Sequence, residues 1–264
     1  MCRFAGYRGD PLAPGTLVFE GEHSLYTQSW APREMLSGTV NADGLGVAWY
    51  SEGQPQRLIS DRPAWHTEHH RPILESVTSS TIVALVRNAT KGLEIDEHSV
   101  APLAFDQWTF ALNGFVTDFR ARFMRRFRSE LPDDLYGNLS GSSDTETLFM
   151  LLVDRLRRGM TPGAALADLL SWVSKRVYEA GSSAQLNLLL TDGTGLWVSR
   201  AGSFDSSNSL YYNAAWKHAP RGVTVASEPL GEGEWIPVSD QSIVSVTDGG
   251  VSVEELEGKG PGEG

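Results

Sequence analysis

The sequence is poor in cysteine, since its 264 residues contain only Cys2. A single cysteine excludes an internal disulfide and any zinc site built from cysteine ligands. A structural cysteine is usually buried in the core, whereas this one stands second in the chain. Removal of Met1 would make Cys2 the first residue of the mature protein.

Positive charge is also scarce. The chain has 22 Lys and Arg against 33 Asp and Glu, a formal net charge of −11. Nucleic-acid binding requires a basic face, so neither DNA nor RNA is the expected partner. No apolar run approaches the roughly 20 residues of a membrane span, and Met1–Phe4 has no apolar signal core. We therefore expect a cytoplasmic protein that binds no membrane.

The composition itself is that of a globular protein, 41% hydrophobic and 21% charged. Strand-like segments at both ends of the chain enclose two amphipathic helices, one beginning at Ser143–Glu146 and one over residues 163–180. This order predicts a single α+β domain over residues 1–253, with helices covering stacked sheets. A flexible tail rich in Gly and Glu is expected at 254–264.

Two local patterns make sharper predictions. Trp108–Leu112 has the character of a strand, and the Asn113-Gly114 pair after it is a strong signal for a hairpin turn. Phe119, Phe123 and Phe127 recur every four residues in an Arg-rich segment. That spacing predicts a helix with one apolar face, and the arginines on its other faces are typical of a solvated surface.

A thiol at the start of a mature chain carries its own base. The α-amine of Cys2, with an ordinary pKa of about 7.7–8.0, can take the thiol proton directly or through water. Asn113 and Gly114 offer an amide and a backbone N–H for an oxyanion hole. Arg87 and Asp144 offer charges for a substrate carboxylate and ammonium group. Taken alone, Cys2 is also explained as a small buried residue, and Asn113-Gly114 as a turn.

Together, five segments resemble the class II glutamine amidotransferases, which are N-terminal-nucleophile hydrolases, and they follow the order of that family. They are Met1–Tyr7, Asn41–Val47, Arg87–Thr90, Asn113–Phe115 and Ser143–Glu146. The resemblance is closer to one branch, the ergothioneine-biosynthesis amidohydrolases of the EgtC family. The segments that carry it include His23–Leu25, Ala31–Arg33, Leu186–Leu188, Ser209–Tyr212 and Val225–Leu230.

The resemblance implies a four-layer αββα sandwich and a set of residue roles. Cys2 would be the nucleophile and its α-amine the general base, while Asn113 and the N–H of Gly114 would stabilise the oxyanion. Arg87 would bind the glutamyl α-carboxylate and Asp144 the α-ammonium. The other substrate-binding residues that it implies are Asn41, Asp43, Gly44 and Thr90.

In this branch the reaction implied is hydrolysis of the γ-glutamyl amide of γ-glutamyl-hercynylcysteine S-oxide, through a thioester, to glutamate and hercynylcysteine S-oxide. No cofactor and no metal is implied. The alternative is a glutaminase subunit that delivers ammonia to an acceptor; synthetases of the family carry a further domain for that purpose, and none is expected here. The expected partner is a small-molecule γ-glutamyl substrate. A homo-oligomer and a partner enzyme of the pathway are both left open.

Overall fold

The computed structural model describes residues 2–89, 99–203 and 207–256. Its first sheet is antiparallel and contains seven strands. They are β1 (Arg3–Leu12), β2 (Leu45–Ser51), β3 (Gln54–Ser60), β4 (Ser79–Val86), β9 (Tyr211–Asn213), β10 (Gly222–Ala226) and β11 (Ile236–Pro237). Their order across the sheet is β11-β9-β10-β1-β4-β2-β3, so the first strand of the chain lies in the middle.

The second sheet is also antiparallel and contains six strands. They are β5 (Leu103–Phe105), β6 (Trp108–Val116), β7 (Ala184–Thr191), β8 (Leu196–Arg200), β12 (Ser242–Thr247) and β13 (Gly250–Glu255). Their order is β13-β12-β8-β7-β6-β5. Because β13 continues to Glu255, two residues of the segment expected to be a tail pair with β12. Residues 257–264 lie outside the described part of the chain.

Helices cover the outer faces of the two sheets. They are α1 (Gly15–Phe19), α2 (Leu25–Gln28), α3 (Arg71–Ser76), α4 (Met124–Arg128), α5 (Asp133–Tyr136), α6 (Asp144–Arg157) and α7 (Pro162–Glu179). Short 3₁₀ turns span Ala64–His66 and Glu68–His70, and a π-helical turn spans Phe119–Phe123. Within the described ranges, no helix is both long and apolar enough to cross a bilayer.

Side-chain alternation along the strands builds three apolar layers. In β1, Phe4 packs between the sheets with residues such as Leu189 of β7, while Ala5 and Tyr7 face the outer layer that contains Leu17 of α1. The long helices α6 and α7 bury their apolar faces on the other side of the second sheet. The predicted four-layer αββα sandwich is confirmed.

The helix predictions are confirmed as well. Helix α6 begins as the sequence indicates, with the hydroxyl of Ser143 accepting a hydrogen bond from the Glu146 N–H at 3.1 Å. Phe119, Phe123 and Phe127 are all buried. The first turn of their segment is π-helical rather than α-helical, and α4 follows it directly.

The predicted hairpin turn at Asn113-Gly114 is wrong. Both residues lie inside β6, which continues to Val116 and pairs Gly114 with Leu186 of β7. A Cβ on Gly114 would lie 1.9 Å from the carbonyl oxygen of Gln185. Glycine is required here by a close approach of two strands, a use that the turn signal does not distinguish from a hairpin.

Candidate active site

The candidate catalytic residues meet at one end of the sandwich. Cys2 stands directly before β1, and the first residue of that strand, Arg3, pairs with Val86 at the end of β4. Val86 also pairs with Leu45 at the start of β2. Cys2, the segment after β4 and the loop before β2 therefore come to the same edge of the first sheet.

Cys2 is half-buried and its thiol is free. Its side chain packs against the layer between the sheets, as expected from alternation with Phe4. The sulfur lies 3.9 Å from the carbonyl oxygen of Asn88, the residue after Arg87. The backbone carbonyl of Cys2 accepts a hydrogen bond from Nη1 of Arg3 at 3.0 Å.

Asn113 brings the second sheet to the same point. Oriented so that both of its side-chain atoms have partners, Nδ2 donates to the Cys2 carbonyl oxygen at 2.6 Å. Its oxygen then accepts from Nη1 of Arg3 at 3.3 Å and from the hydroxyl of Ser227 at 3.2 Å. Asn113 is fully buried, so the amide is held in place beside the residue that carries the thiol.

The N–H of Gly114 faces the unpaired edge of β6. The Leu186 N–H donates to the Ala201 carbonyl on the β8 side of β7. In an antiparallel strand the N–H and C=O of one residue point to the same side, so the Gly114–Leu186 pair exchanges no bonds across β6 and β7. In the described part of the chain, β5 covers the other side of β6 only as far as Phe110. Among the described residues, no neighbouring strand therefore pairs with the Gly114 N–H.

Asp144 approaches the same strand from the helical layer. It is the first residue of α6, and its carboxylate accepts hydrogen bonds from the N–H groups of Val116 and Thr145, both at 2.8 Å. Burial raises the pKa of Asp144 above its ordinary value, and these hydrogen bonds oppose the rise. The carboxylate lies at a buried helix N-terminus, two residues along β6 from Gly114.

The residues after β4 and before β2 hold each other in place. The buried Arg87 donates its N–H to the Gly44 carbonyl and accepts from the Asp43 N–H, both at 2.9 Å. The Asp43 carboxylate accepts from the Ala89 N–H at 2.7 Å. A Cβ on Gly44, whose φ is +145°, would lie 2.8 Å from the Ser60 carbonyl oxygen. Arg87, Asp43 and Gly44 thus form one connected wall.

Asn41 extends this wall toward α2. Its N–H donates to the Ser29 carbonyl at 2.7 Å, and its side-chain nitrogen donates to the Gln28 carbonyl at 2.9 Å. The asparagine is fully buried. Thr90, the remaining predicted substrate-binding residue, lies outside the described residues.

A buried charge cluster, which sequence reasoning assigned no role, lies behind Cys2. Glu228 follows β10. Its carboxylate accepts a hydrogen bond from Nε of Arg3 at 2.5 Å and one from Nε2 of His23 at 2.7 Å. Burial would raise its pKa, but the His23 hydrogen bond and the Arg3 charge hold the pKa of Glu228 at about 2. One sequence feature could have indicated this cluster. Arg3 is a charged residue at the start of an apolar strand, and a charge that is buried there requires a partner.

Within the described ranges, no group of three His, Cys, Asp or Glu side chains is arranged to hold a metal ion. The groups at this edge are a thiol, the buried side-chain amide of Asn113, the backbone N–H of Gly114 and two opposite charges.

The sequence profile of the class II glutamine amidotransferases matches residues 19–212. The chain belongs to this family. It is an amide-cleaving enzyme of the class II glutamine amidotransferase type.

The chain is similar to two curated relatives and to one solved structure. A "gamma-glutamyl-hercynylcysteine sulfoxide hydrolase" of Mycolicibacterium smegmatis is 31% identical over 97% of this chain and 100% of that protein. A "probable glutamine amidotransferase" of Saccharomyces cerevisiae is 26% identical over 93% of this chain and 82% of that protein. A glutamine aminotransferase class-II domain protein of Silicibacter pomeroyi superposes with a TM-score of 0.74 at 24% identity, covering 97% and 98% of the two chains. That structure supports the fold alone.

Proposed function

We propose that the protein hydrolyses the γ-glutamyl amide of γ-glutamyl-hercynylcysteine S-oxide to glutamate and hercynylcysteine S-oxide. The observation that supports the chemistry is the junction at Cys2, a residue with a free thiol whose carbonyl oxygen receives the Asn113 amide at 2.6 Å, with Gly114 next to Asn113 in β6. The named activity of the M. smegmatis relative, matched over nearly both full lengths, supports the substrate.

In the proposed reaction the α-amine of Cys2, exposed by removal of Met1, takes the thiol proton. The sulfur attacks the γ-carbonyl carbon, and the oxyanion is stabilised by the Asn113 amide and the Gly114 N–H. The C–N bond then breaks, and the leaving amine takes the proton from the α-ammonium. Water adds to the thioester, with the α-amine again as base, and glutamate leaves as the thiol is restored.

Opposite charges at the site match the glutamyl group. We assign the α-carboxylate of the substrate to Arg87, because a guanidinium binds carboxylates through two parallel hydrogen bonds. We assign the α-ammonium to Asp144, whose carboxylate is buried and already oriented by Val116. Asn41, Asp43 and Gly44 line the pocket in this proposal, and Thr90 keeps the substrate-binding role that the resemblance implies.

The test is a comparison of two substrates by mass spectrometry. Purified protein is given γ-glutamyl-hercynylcysteine S-oxide or glutamine, and glutamate release is followed. We expect kcat/KM to be at least about 100-fold higher for the first, because binding energy from the non-reacting part of a substrate is used in the transition state. A preference for glutamine would overturn the proposed substrate and favour an ammonia-delivering subunit.

Replacement of Asn113 by alanine tests the oxyanion hole. We expect kcat to fall about 10²–10³-fold, the usual cost of losing one such donor, with KM little changed. The matched control is Asn187→Ala, since Asn187 is equally buried and pairs with Asn113 from the neighbouring strand. An Asn113→Ala enzyme with the kcat of the control would contradict the assignment.

A further inference from the structure

Glu228 contacts both sides of the candidate active site. Its side chain is 1% exposed and its two oxygens accept four hydrogen bonds. The donors are Arg3 Nε at 2.5 Å, His23 Nε2 at 2.7 Å, the Arg33 N–H at 2.8 Å and the Glu34 N–H at 3.0 Å. All the acceptor capacity of a carboxylate is thereby used by ordered groups.

One arm of this arrangement leads to the nucleophile. Arg3 binds Glu228 through Nε, and the same guanidinium donates from Nη1 to the Cys2 carbonyl. That carbonyl also receives the Asn113 amide. These two donors hold the peptide plane between Cys2 and Arg3, and the Cα that carries the α-amine and the thiol is attached directly to that plane.

The other arm leads to the pocket wall. Residues 31–44, here called the wall segment, lie between α2 and β2 and contain no helix or strand. The Asn41 N–H donates to the Ser29 carbonyl, which joins the later part of the segment to the residue after α2. Arg33 and Glu34 present consecutive N–H groups to Glu228, and this is where the wall segment is tied to the strand that bears the nucleophile.

Such a carboxylate is a rigid connector. Hydrogen bonds with an ionised partner are shorter and stronger than neutral ones, and loss of one partner of a buried pair leaves the other charge uncompensated. The His23 hydrogen bond and the Arg3 charge hold the pKa of Glu228 at about 2, so the glutamate is ionised near neutral pH. The ionised carboxylate connects the two arms through four hydrogen bonds.

We propose that Glu228 is a positioning residue that fixes the wall segment and the Cys2 backbone in one relative geometry. It touches no reacting atom and acts through Arg3 and through the N–H groups of Arg33 and Glu34. The part of this inference that concerns KM and kcat rests on the proposed function. The part that concerns the geometry of Cys2 and the wall segment does not.

The test uses Glu228→Gln in the full chain, with three measurements. Because Cys2 is the only cysteine, the rate of iodoacetamide alkylation reports on it alone. Arg33 is exposed, so tryptic cleavage after it reports release of the wall segment. We expect cleavage to be about 10-fold faster, alkylation at least about 5-fold slower, and kcat/KM to fall about 100-fold with changes in both kcat and KM.

A second substitution separates the two arms and covers the case in which Glu228→Gln does not fold. Arg3→Lys keeps a positive charge for Glu228, but it replaces the planar guanidinium, whose Nε and Nη1 bind Glu228 and the Cys2 carbonyl separately, by one ammonium nitrogen that does not reproduce this fork. We expect slower alkylation and a lower kcat, with cleavage after Arg33 unchanged. Glu22→Gln is the control, since it removes an exposed carboxylate whose ion pair, with Lys217 at 3.2 Å, does not involve Arg3 or the wall segment.

Folded Glu228→Gln protein with the alkylation and cleavage rates of the wild type would overturn the proposal. So would an Arg3→Lys protein in which cleavage after Arg33 is as fast as in Glu228→Gln. A further outcome is that the wild-type enzyme fails to hydrolyse the γ-glutamyl substrate while the alkylation and cleavage rates of the variants change as expected. That result would overturn the proposed function but not the positioning role of Glu228.

Discussion

Cys2→Ala protein is expected to release no measurable glutamate, with kcat reduced at least about 10⁴-fold. Removal of a catalytic nucleophile abolishes the covalent route and leaves only the residual effect of binding and the oxyanion hole. The half-buried position of the thiol against the layer between the sheets predicts that alanine is tolerated by the fold. The measurement is glutamate release together with a thermal melt. Retained activity in a folded Cys2→Ala protein would contradict the assignment of the nucleophile.

The same prediction extends from the thiol to the α-amine. A protein with a removable extension before Cys2 keeps the thiol but lacks the free amine, so we expect it to be nearly as inactive as Cys2→Ala. Proteolytic removal of the extension should restore activity, and intact mass of the unextended protein should show the loss of Met1. Full activity with the extension in place would show that another group is the base.

Asp144→Asn is expected to lower kcat/KM about 10²–10³-fold, mostly through KM. Removal of one partner from a buried, hydrogen-bonded charge pair typically costs about 2–5 kcal/mol of binding free energy. The amide oxygen can still accept from Val116, and the cost of burying a charge disappears, so we expect a thermal melt close to that of wild type. The control is Asp154→Asn on the same helix, which removes only the pair with Arg158 at 2.7 Å.

The pH dependence follows from the raised pKa of Asp144. Below its folded pKa the carboxyl is protonated and cannot pair with an ammonium group. KM of the wild type should therefore rise as the pH falls, and this rise should begin at a higher pH than for an ordinary aspartate. In Asp144→Asn the KM should be high and should lack this dependence. A wild-type KM that is constant down to pH 4 would contradict the role.

The candidate site residues could be named from the sequence although they are far apart in it. Cys2, Arg87, Asn113-Gly114 and Asp144 lie in segments that resemble the class II glutamine amidotransferases in type and order. The structure places these residues at connected points around one edge of the sandwich. Residue type and order were enough to name the candidates, because each predicted role depends on a single functional group.

The Asn113-Gly114 prediction shows where local reasoning stops. A turn and a close approach of two strands both require glycine, and the pair carries no signal that separates them. Only the position of Gln185 on β7 decides the matter. The short helices α1 to α3 and the strands β3 and β13 were likewise not predicted, because packing against a sheet stabilises elements that are too short to show a periodicity.

The charge cluster around Glu228 could not be predicted for a different reason. Its members Arg3, His23 and Glu228 are far apart in the sequence, and nothing in their spacing indicates contact. Their identity as a group follows only from burial, which forces charged side chains to find one another. The sequence therefore named the candidate reacting groups but gave no indication of the charge cluster that contacts the carbonyl of Cys2 through Arg3.

The position of β1 in the first sheet determines when its contacts can form during synthesis of the protein. Strand β1, which follows Cys2, pairs with β4 on one side and with β10 on the other, and the Arg3–Glu228 contact joins residues 225 positions apart. A ribosome thus releases Cys2 first and Glu228 near the end of translation. The ion pair of Arg3 cannot form until Glu228 has emerged, so this edge of the sheet is completed only when nearly the whole polypeptide has been made.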